Sequence, residues 1–126
     1  MLTPEEFVRQ NFVNWLINSL GYPSSLLKNE FTINLNNTIK RCDTVLFLKN
    51  GSPRLIIEYK APNIKINHST FSQIVRYNYA LNAEFLILSN GVNHYCCKVD
   101  IENHTYKFLD KIPNYLELKE LEENHD

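Results

Sequence analysis

Three residues near the middle of the chain have the types and spacing of a metal-dependent hydrolytic site. Asp43 is followed by Glu58 and Lys60, which come directly after an aliphatic run from Leu55 to Ile57. Both segments are rich in β-branched and aromatic residues, so both are predicted to be strands. Alternate residues of a strand share a face, which places Glu58 and Lys60 on one side. Carboxylates bind Mg²⁺, and a lysine can orient a water molecule or stabilise phosphate charge, so this set suits phosphodiester hydrolysis.

A tight turn between the two predicted strands would bring Asp43 alongside Glu58. Asn50-Gly51 is a strong signal for a two-residue hairpin. In the structural alternative, Asp43 begins a strand, and Glu58 with Lys60 forms an ion pair on a solvated face. The apolar residues before Glu58 favour a strand buried on both faces, where an unpaired charge is costly. The hydrolytic interpretation predicts that all three side chains meet in one cleft, with carboxylates that share a metal roughly 4–5 Å apart.

Helix and strand signals follow one another in an order that could hold such a site. The first helix is predicted to begin at Pro4, with Thr3 as N-cap and Glu6 closing a capping box, and to end at Gly21. Strands are predicted at residues 31–35, 43–48, 54–60, 84–89, 93–99 and 106–108, with helices from 69 or 70 to 81 and from Pro113 onward. A helix between the third and fourth strands allows a right-handed crossover. We therefore expect an α/β fold with a mixed central sheet flanked by helices.

Composition and charge limit the other functions that the chain could have. Its 126 residues predict one domain over residues 1–126, with frayed last residues. The net charge of −1 gives no general attraction to nucleic acid, so DNA contact would need a local basic surface or bridging metal ions. The sequence contains no membrane-spanning run, secretion signal, zinc spacing or glycine-rich phosphate loop, so we expect a cytoplasmic protein that binds no ATP.

Six short motifs occur in an order that is typical of one protein family. They are TPEEFVRQ (residues 3–10), LGYP (20–23), KRCD (40–43), IEYKAP (57–62), QIVRY (73–77) and LSNG (88–91). Over about residues 4–115 they resemble the N-terminal nuclease domain of type I restriction enzyme R (motor) subunits, which belongs to the PD-(D/E)xK nuclease superfamily. The resemblance implies a helix-strand-strand-strand-helix-strand core and DNA cleavage with Mg²⁺, for which Mn²⁺ can substitute. It also implies other restriction-system subunits as partners.

The resemblance assigns roles to the central residues of the chain. It implies that Asp43 and Glu58 are metal ligands, and we expect the backbone carbonyl of Tyr59 to join them. Lys60 would be the catalytic lysine. Cys42 stands where the superfamily pattern has a proline, at a position where that pattern is lax.

Further residues match the family pattern or compete with it. Glu6 corresponds to an additional acidic residue on the first helix, although helix capping explains it equally well. Glu30 could supply that carboxylate instead, or pair with Arg41. Gln73 and Tyr77 match a glutamine-tyrosine motif on the second core helix and stand one turn apart, so we expect both to face the cleft. The alternative makes Tyr77 a core residue and Gln73 a surface residue.

Two other functions compete with the DNA nuclease. One is a catalytically inactive module that keeps the nuclease fold for docking or regulation in a restriction or DNA-processing complex. The other is an RNA-directed nuclease, because the phosphodiester chemistry is shared. The intact Asp, Glu and Lys favour the enzyme. Because the chain lacks a motor, we expect either a domain cut out of a larger subunit or a free-standing small relative, and the C-terminal sequence favours the free-standing case or a short gene fragment.

Overall fold

The computed structural model describes residues 2–35 and 37–123, and it leaves the side chains of residues 35, 77, 79, 80 and 121–123 undescribed. Within these residues there are three α-helices, one short 3₁₀ helix (Ser24–Leu26) and six strands. The helices are α1 (Pro4–Leu20), α2 (His68–Leu81) and α3 (Tyr115–Glu123). The strands are β1 (Leu27–Leu35), β2 (Thr38–Phe47), β3 (Pro53–Tyr59), β4 (Phe85–Ser89), β5 (His94–Asp100) and β6 (Thr105–Phe108). None of the described helices combines the length and the apolar character needed to cross a membrane.

The six strands form one mixed sheet in chain order, from β1 at one edge to β6 at the other. Neighbouring strands are antiparallel, except that β3 and β4 run parallel. A parallel pair needs a crossover connection, and α2 supplies it. The expected α/β fold, with its helix-strand-strand-strand-helix-strand order, is confirmed.

Helices cover both faces of the sheet, so its central strands are buried on both sides. On one face, Phe12 and Leu16 of α1 pack in a cluster that includes Ile57 of β3. On the other face, Val75 of α2 belongs to a cluster with Ile56. The consecutive Ile56 and Ile57 are therefore buried on opposite faces, as the aliphatic run before Glu58 predicted.

The start of α1 is fixed by the capping box that the sequence predicts. The Thr3 side chain accepts a hydrogen bond from the Glu6 backbone N–H at 3.2 Å, and the Glu6 carboxylate accepts one from the Thr3 N–H at 3.4 Å. At the other end, Gly21 has a left-handed φ of 74° and terminates the helix. Glu6 thus has a confirmed structural role.

The first two strands are longer than predicted. β1 begins at Leu27 and β2 at Thr38, and the two pair from Leu27↔Leu46 to Leu35↔Thr38. Asp43 therefore lies inside β2 and does not begin it.

The turn between β2 and β3 is wider than the predicted two-residue hairpin. The Leu48 N–H donates to the Ser52 carbonyl at 2.8 Å, and the Gly51 N–H donates to the Leu48 carbonyl at 2.9 Å. Asn50 closes this loop through its side-chain oxygen, which accepts the Ser52 N–H at 2.9 Å. The prediction of a hairpin is confirmed, but its turn size was wrong, because only Gly51 and not Asn50 has a positive φ.

Helices α2 and α3 are each capped by an asparagine that sequence reasoning did not identify. The Asn67 side chain accepts the Thr70 N–H at 2.9 Å, so α2 begins at His68 and not at residue 69 or 70. The Asn114 side chain accepts the Glu117 N–H at 2.8 Å, so α3 begins after Asn114 and not at Pro113.

Candidate functional site

Asp43 and Glu58 are neighbours at the point where β2 and β3 diverge. The ladder between these strands ends with the pair Thr44↔Ile57, so the next residues along the two strands are Asp43 and Glu58. Directly opposed residues of an antiparallel pair have their side chains close together. The two carboxyl groups interact by charge and by hydrogen bonding.

Asp43 is held in place by the backbone of β3. The Tyr59 N–H donates a hydrogen bond to Asp43 Oδ2 at 2.9 Å. If β2 and β3 remained paired at this point, the Tyr59 N–H would be available for a hydrogen bond between the strands. It bonds to the Asp43 carboxylate instead, and this bond orients the carboxylate beside Glu58. The Tyr59 carbonyl, which is the expected third metal ligand, belongs to the next peptide, and the Lys60 N–H anchors that peptide to the Ser89 carbonyl at 2.8 Å.

A buried hydrogen-bond network anchors the same position from the α1 side. The Thr44 hydroxyl donates to Asn29 Oδ1 at 2.8 Å, and it lies 2.9 Å from the Tyr59 hydroxyl. Because the Thr44 proton goes to Asn29, the Tyr59 hydroxyl is the donor to Thr44. Burial raises the pKa of Tyr59 above its usual range, so the phenol stays neutral. The backbone around Asp43 is therefore tied to both neighbouring strands.

Glu58 is an unusual carboxyl group because it is protonated at neutral pH in the metal-free protein. Burial is the main reason that its pKa rises from 4.5 to about 8, and the charge and hydrogen bond of Asp43 add to the increase. The positive charges of Lys40 and Lys60 lower the pKa without offsetting the other effects. A cation at this position would restore the charged form.

Two lysines lie close to Glu58, of which the sequence analysis identified one. Lys60 is half-buried and follows β3, and its N–H donates to the Ser89 carbonyl at 2.8 Å, so its backbone is anchored to β4. Lys40 on β2 has a larger effect than Lys60 on the pKa of Glu58. The sequence analysis could have found Lys40, because it stands in the KRCD motif (residues 40–43) that ends at Asp43.

A polar cleft of about 240 Å³ opens beside Asp43 on the α1 side. Its lining comes from the start of α1 and from the three strands β1, β2 and β3: Thr3, Glu5, Glu6, Arg9, Glu30, Arg41, Asp43 and Tyr59. Glu58 and Lys60 do not line this cleft, because Glu58 lies between Ile57 and Tyr59, which both belong to the α1-side core. Asp43 therefore both lines the polar cleft and lies next to Glu58.

Both candidates for an additional carboxylate, Glu6 and Glu30, line the polar cleft. Glu30 pairs with Arg9 (Oε1 to Nη1, 3.8 Å) and not with Arg41, the partner that the sequence analysis considered. The strand register places Glu30 opposite Asp43, and its φ of 56° is uncommon for a residue other than glycine. Glu30 thus lies beside Asp43, at the point where β2 and β3 separate.

Gln73 lies on α2 and is exposed. The buried residues Phe71 and Val75 define the side of α2 that faces the sheet. Gln73 is two residues from each of them, about 200° around the helix, so it projects away from the sheet. Tyr77 belongs to α2, but its side chain lies outside the described part of the chain. The structure therefore does not bring Gln73 against Asp43 or Glu58 as expected, and the roles of both residues remain predictions.

The donor set beside Asp43 fits a hydrated Mg²⁺ ion better than an ion enclosed by protein. Among the described residues, no three His, Cys, Asp or Glu side chains form a group that could hold a metal. Mg²⁺ usually keeps several waters and binds through one or two carboxylates, which Asp43 and Glu58 can supply. All these donors are oxygens, and oxygen donors favour Mg²⁺ or Mn²⁺ over thiolate-binding metals.

Comparisons with known proteins agree with this architecture. A fragment of a protein described as an HsdR subunit of a type I restriction enzyme, from Vibrio vulnificus YJ016, superimposes with a TM-score of 0.66 at 18% sequence identity. The match covers 94% of this chain and 25% of the other, so this chain spans about a quarter of that fragment. At this identity the similarity establishes the fold alone. No curated protein matches the sequence.

The sequence itself identifies the family. The family model described as type I restriction enzyme R protein N terminus matches residues 4–113. This range includes Asp43, Glu58 and Lys60, together with α1, α2 and all six strands of the sheet. Because the match covers most of the chain, the protein belongs to the family of type I restriction enzyme R protein N-terminal domains.

Proposed function

We propose that this chain is a nuclease domain that cleaves DNA with Mg²⁺ held by Asp43 and Glu58. The observation that carries the proposal is the hydrogen bond from the Tyr59 N–H to Asp43 Oδ2, at 2.9 Å, beside the buried Glu58 carboxyl group. Two adjacent carboxyl groups in a half-buried position disfavour the doubly charged state, and a bound cation would favour that state again. Their orientation by the backbone supports a site built for metal binding.

Each residue of the site has a separate task in this proposal. Asp43, Glu58 and the Tyr59 carbonyl would hold the ion, and Mn²⁺ would replace Mg²⁺. A metal ion bound there would polarise the phosphate and lower the pKa of a bound water. Lys60 would donate from Nζ to the attacking water or to the phosphate oxygens, since an ammonium group stabilises negative charge at short range. Glu6 would contribute an outer carboxylate from the polar cleft that it lines.

The polar cleft supplies a route for the DNA backbone. Arg9 and Arg41 line it and can contact phosphate oxygens next to Asp43. The cleft also holds four carboxylates, on Glu5, Glu6, Glu30 and Asp43, and the chain has a net charge of −1, so bridging metal ions and partner subunits of the restriction system would be needed to deliver DNA. Gln73, which is exposed on α2, would contact DNA and not the carboxylates.

A second candidate function is a catalytically inactive docking module with the same fold. The raised pKa of Glu58, about 8, favours it, because a protonated carboxyl group is a poor metal ligand. The two functions differ in whether Mg²⁺ displaces the proton of Glu58 and so turns its carboxyl group into a metal ligand. The inactive module would bind partner subunits and leave DNA intact.

Nicking of supercoiled plasmid in Mg²⁺ or Mn²⁺ separates the two functions. We expect wild type to convert supercoiled plasmid to open circles, and Asp43→Asn, Glu58→Gln and Lys60→Met to lose at least about a hundredfold in rate, the low end for a lost catalytic group. The matched control is Glu102→Gln, which removes an exposed carboxylate from the β5–β6 turn. Nicking that survives Glu58→Gln unchanged would contradict the proposal.

A further inference from the structure

A second cavity lies against the other side of α1, with a volume of about 450 Å³. Residues from α1, from the loop after Lys60 and from the turn between β4 and β5 form its walls. Its lining is mainly apolar and aromatic and includes Phe7, Phe12, Trp15 and His94. We call this cavity the aromatic pocket. Its volume is within the range of small-ligand sites.

The rings of the aromatic pocket are unusually accessible. Phe7 is 57% exposed and Trp15 is 39% exposed. The Trp15 and His94 rings are nearly parallel, with centroids 6.2 Å apart and an interplanar angle of 19°. Large aromatic side chains that gather around an open cavity mark binding surfaces, since leaving them in water is unfavourable.

His94 is oriented by a hydrogen bond from within the protein. Ser89 is fully buried, and its Oγ accepts the Gly91 N–H at 3.0 Å and lies 2.6 Å from His94 Nδ1. Among the described contacts, His94 Nδ1 is the acceptor within reach of the buried Ser89 hydroxyl, so we assign the hydroxyl proton to Nδ1 and the imidazole proton to Nε2. Burial lowers the pKa of His94, which favours the neutral ring. The pocket thus offers stacking surfaces and an uncharged donor, which suit a neutral planar ring better than a phosphate.

The aromatic pocket and the polar cleft both border α1. Glu6 and Arg9 line the polar cleft, whereas their neighbours Phe7 and Asn11 line the aromatic pocket. A helix with its side chains is about 10 Å across, so a strand that passes α1 would have to span roughly that distance between the two sites. A strand with a phosphate beside Asp43 could therefore reach the pocket with a nearby base.

We propose that the aromatic pocket binds an unpaired nucleobase of the DNA strand, an inference that rests on the proposed cleavage of DNA beside Asp43. Phe7 and Trp15 stack on the base, as aromatic side chains do in proteins that bind single strands. His94 Nε2 and the Asn11 amide hydrogen-bond to its polar edge. The substrate class is then DNA with a single-stranded or locally opened segment next to the cleavage site.

Trp15 makes the proposal directly measurable, because it is the only tryptophan in the chain. The probe is a ten-nucleotide single strand of thymidylate, added to the full-length Glu58→Gln variant without divalent metal so that the DNA stays intact. We expect the strand to quench Trp15 fluorescence through stacking. An abasic strand of the same length carries the same phosphates and should not quench it. Equal quenching by the two strands would overturn the proposal.

A pair of phenylalanine variants, both made in the Glu58→Gln protein, provides the matched control. Phe7→Ala should weaken binding of the thymidylate strand by about tenfold or more, within the range measured for base–aromatic stacking. Phe108→Ala removes a similarly exposed ring, 48% accessible, from β6 and should leave affinity unchanged. Equal affinities of the two variants would overturn the proposal. So would quenching that increases with protein concentration in the absence of DNA, because a second copy would then fill the pocket.

Plasmid nicking by wild type distinguishes failure of this inference from failure of the proposed function. Intact nicking without base-dependent quenching would overturn the aromatic pocket alone. Base-dependent quenching without nicking would overturn DNA cleavage and leave the pocket as a single-strand binding site.

Discussion

Replacing Glu58 with glutamine should stabilise the metal-free protein at neutral pH, even though it removes a residue of the candidate site. The pKa of Glu58 is raised from 4.5 to about 8 by burial and by Asp43. The folded chain therefore keeps a proton that the unfolded chain releases, and the free energy of unfolding falls as the pH rises between these two values. Glutamine preserves the shape and a hydrogen-bond donor without titrating.

The size of the effect follows from the two pKa values. Each pH unit between them costs the wild type about 1.36 kcal/mol. The penalty is absent well below pH 4.5, is under about 1 kcal/mol at pH 5, and reaches about 3 kcal/mol at pH 7. Above a pH of about 8 it no longer increases, because the folded state has then lost the same proton.

Urea unfolding at pH 5, 6, 7 and 8 in the presence of a chelator measures this penalty directly. The difference in unfolding free energy between Glu58→Gln and wild type should increase from pH 5 to pH 8. Glu102→Gln, at an exposed position, should show a difference that does not change with pH. A constant difference between Glu58→Gln and wild type over this range would refute the assignment of a raised pKa to Glu58.

Three other predictions follow from the structure. Arg54 is 4% exposed, and its Nη1 lies 3.0 Å from Glu84 Oε2 in an ion pair. Arg54→Ala should therefore lower the free energy of unfolding, measured in urea, by about 3–5 kcal/mol. Arg76→Ala, at an exposed position, should change it by no more than about 0.5 kcal/mol. Gly91→Ala should lower the melting temperature, because Gly91 has a φ of 88° and a Cβ there would lie 3.2 Å from Val8; an unchanged melting temperature would contradict this. Gln73→Ala should leave the melting temperature unchanged and reduce plasmid nicking. If the variant nicks plasmid at the wild-type rate, Gln73 has no role in cleavage.

Local signals in the sequence predicted the parts of the fold that local interactions determine. The capping box of Thr3 and Glu6 and the left-handed Gly21 are examples, since each involves residues a few positions apart. The first halves of β1 and β2 were missed because many of their side chains are exposed, so no alternation of polar and apolar residues marks them. Their pairing with each other defines them, and that pairing is a tertiary contact.

The candidate site was predictable as a set of residues but not as an arrangement. Strand signals and a turn were enough to place Asp43 near Glu58. The bond from the Tyr59 N–H to Asp43 arises because β2 and β3 diverge there, which strand periodicity does not reveal. The proximity of Lys40 to Glu58 depends on the same divergence. The direction of Gln73 could have been inferred from the 3.6-residue period of α2.

The claim that Asp43 and Glu58 together hold a divalent ion is tested most directly by counting the protons that metal binding releases. Calorimetric titration with Mn²⁺ at pH 7, in two buffers with different ionisation enthalpies, gives this number. Wild type should release about 0.9 proton per ion, because Glu58 with its pKa of about 8 must lose its proton to become a ligand. Glu58→Gln should bind Mn²⁺ more weakly and release almost none. Binding to wild type without proton release, or equal affinity in the Asp43→Asn/Glu58→Gln double variant, would contradict the claim.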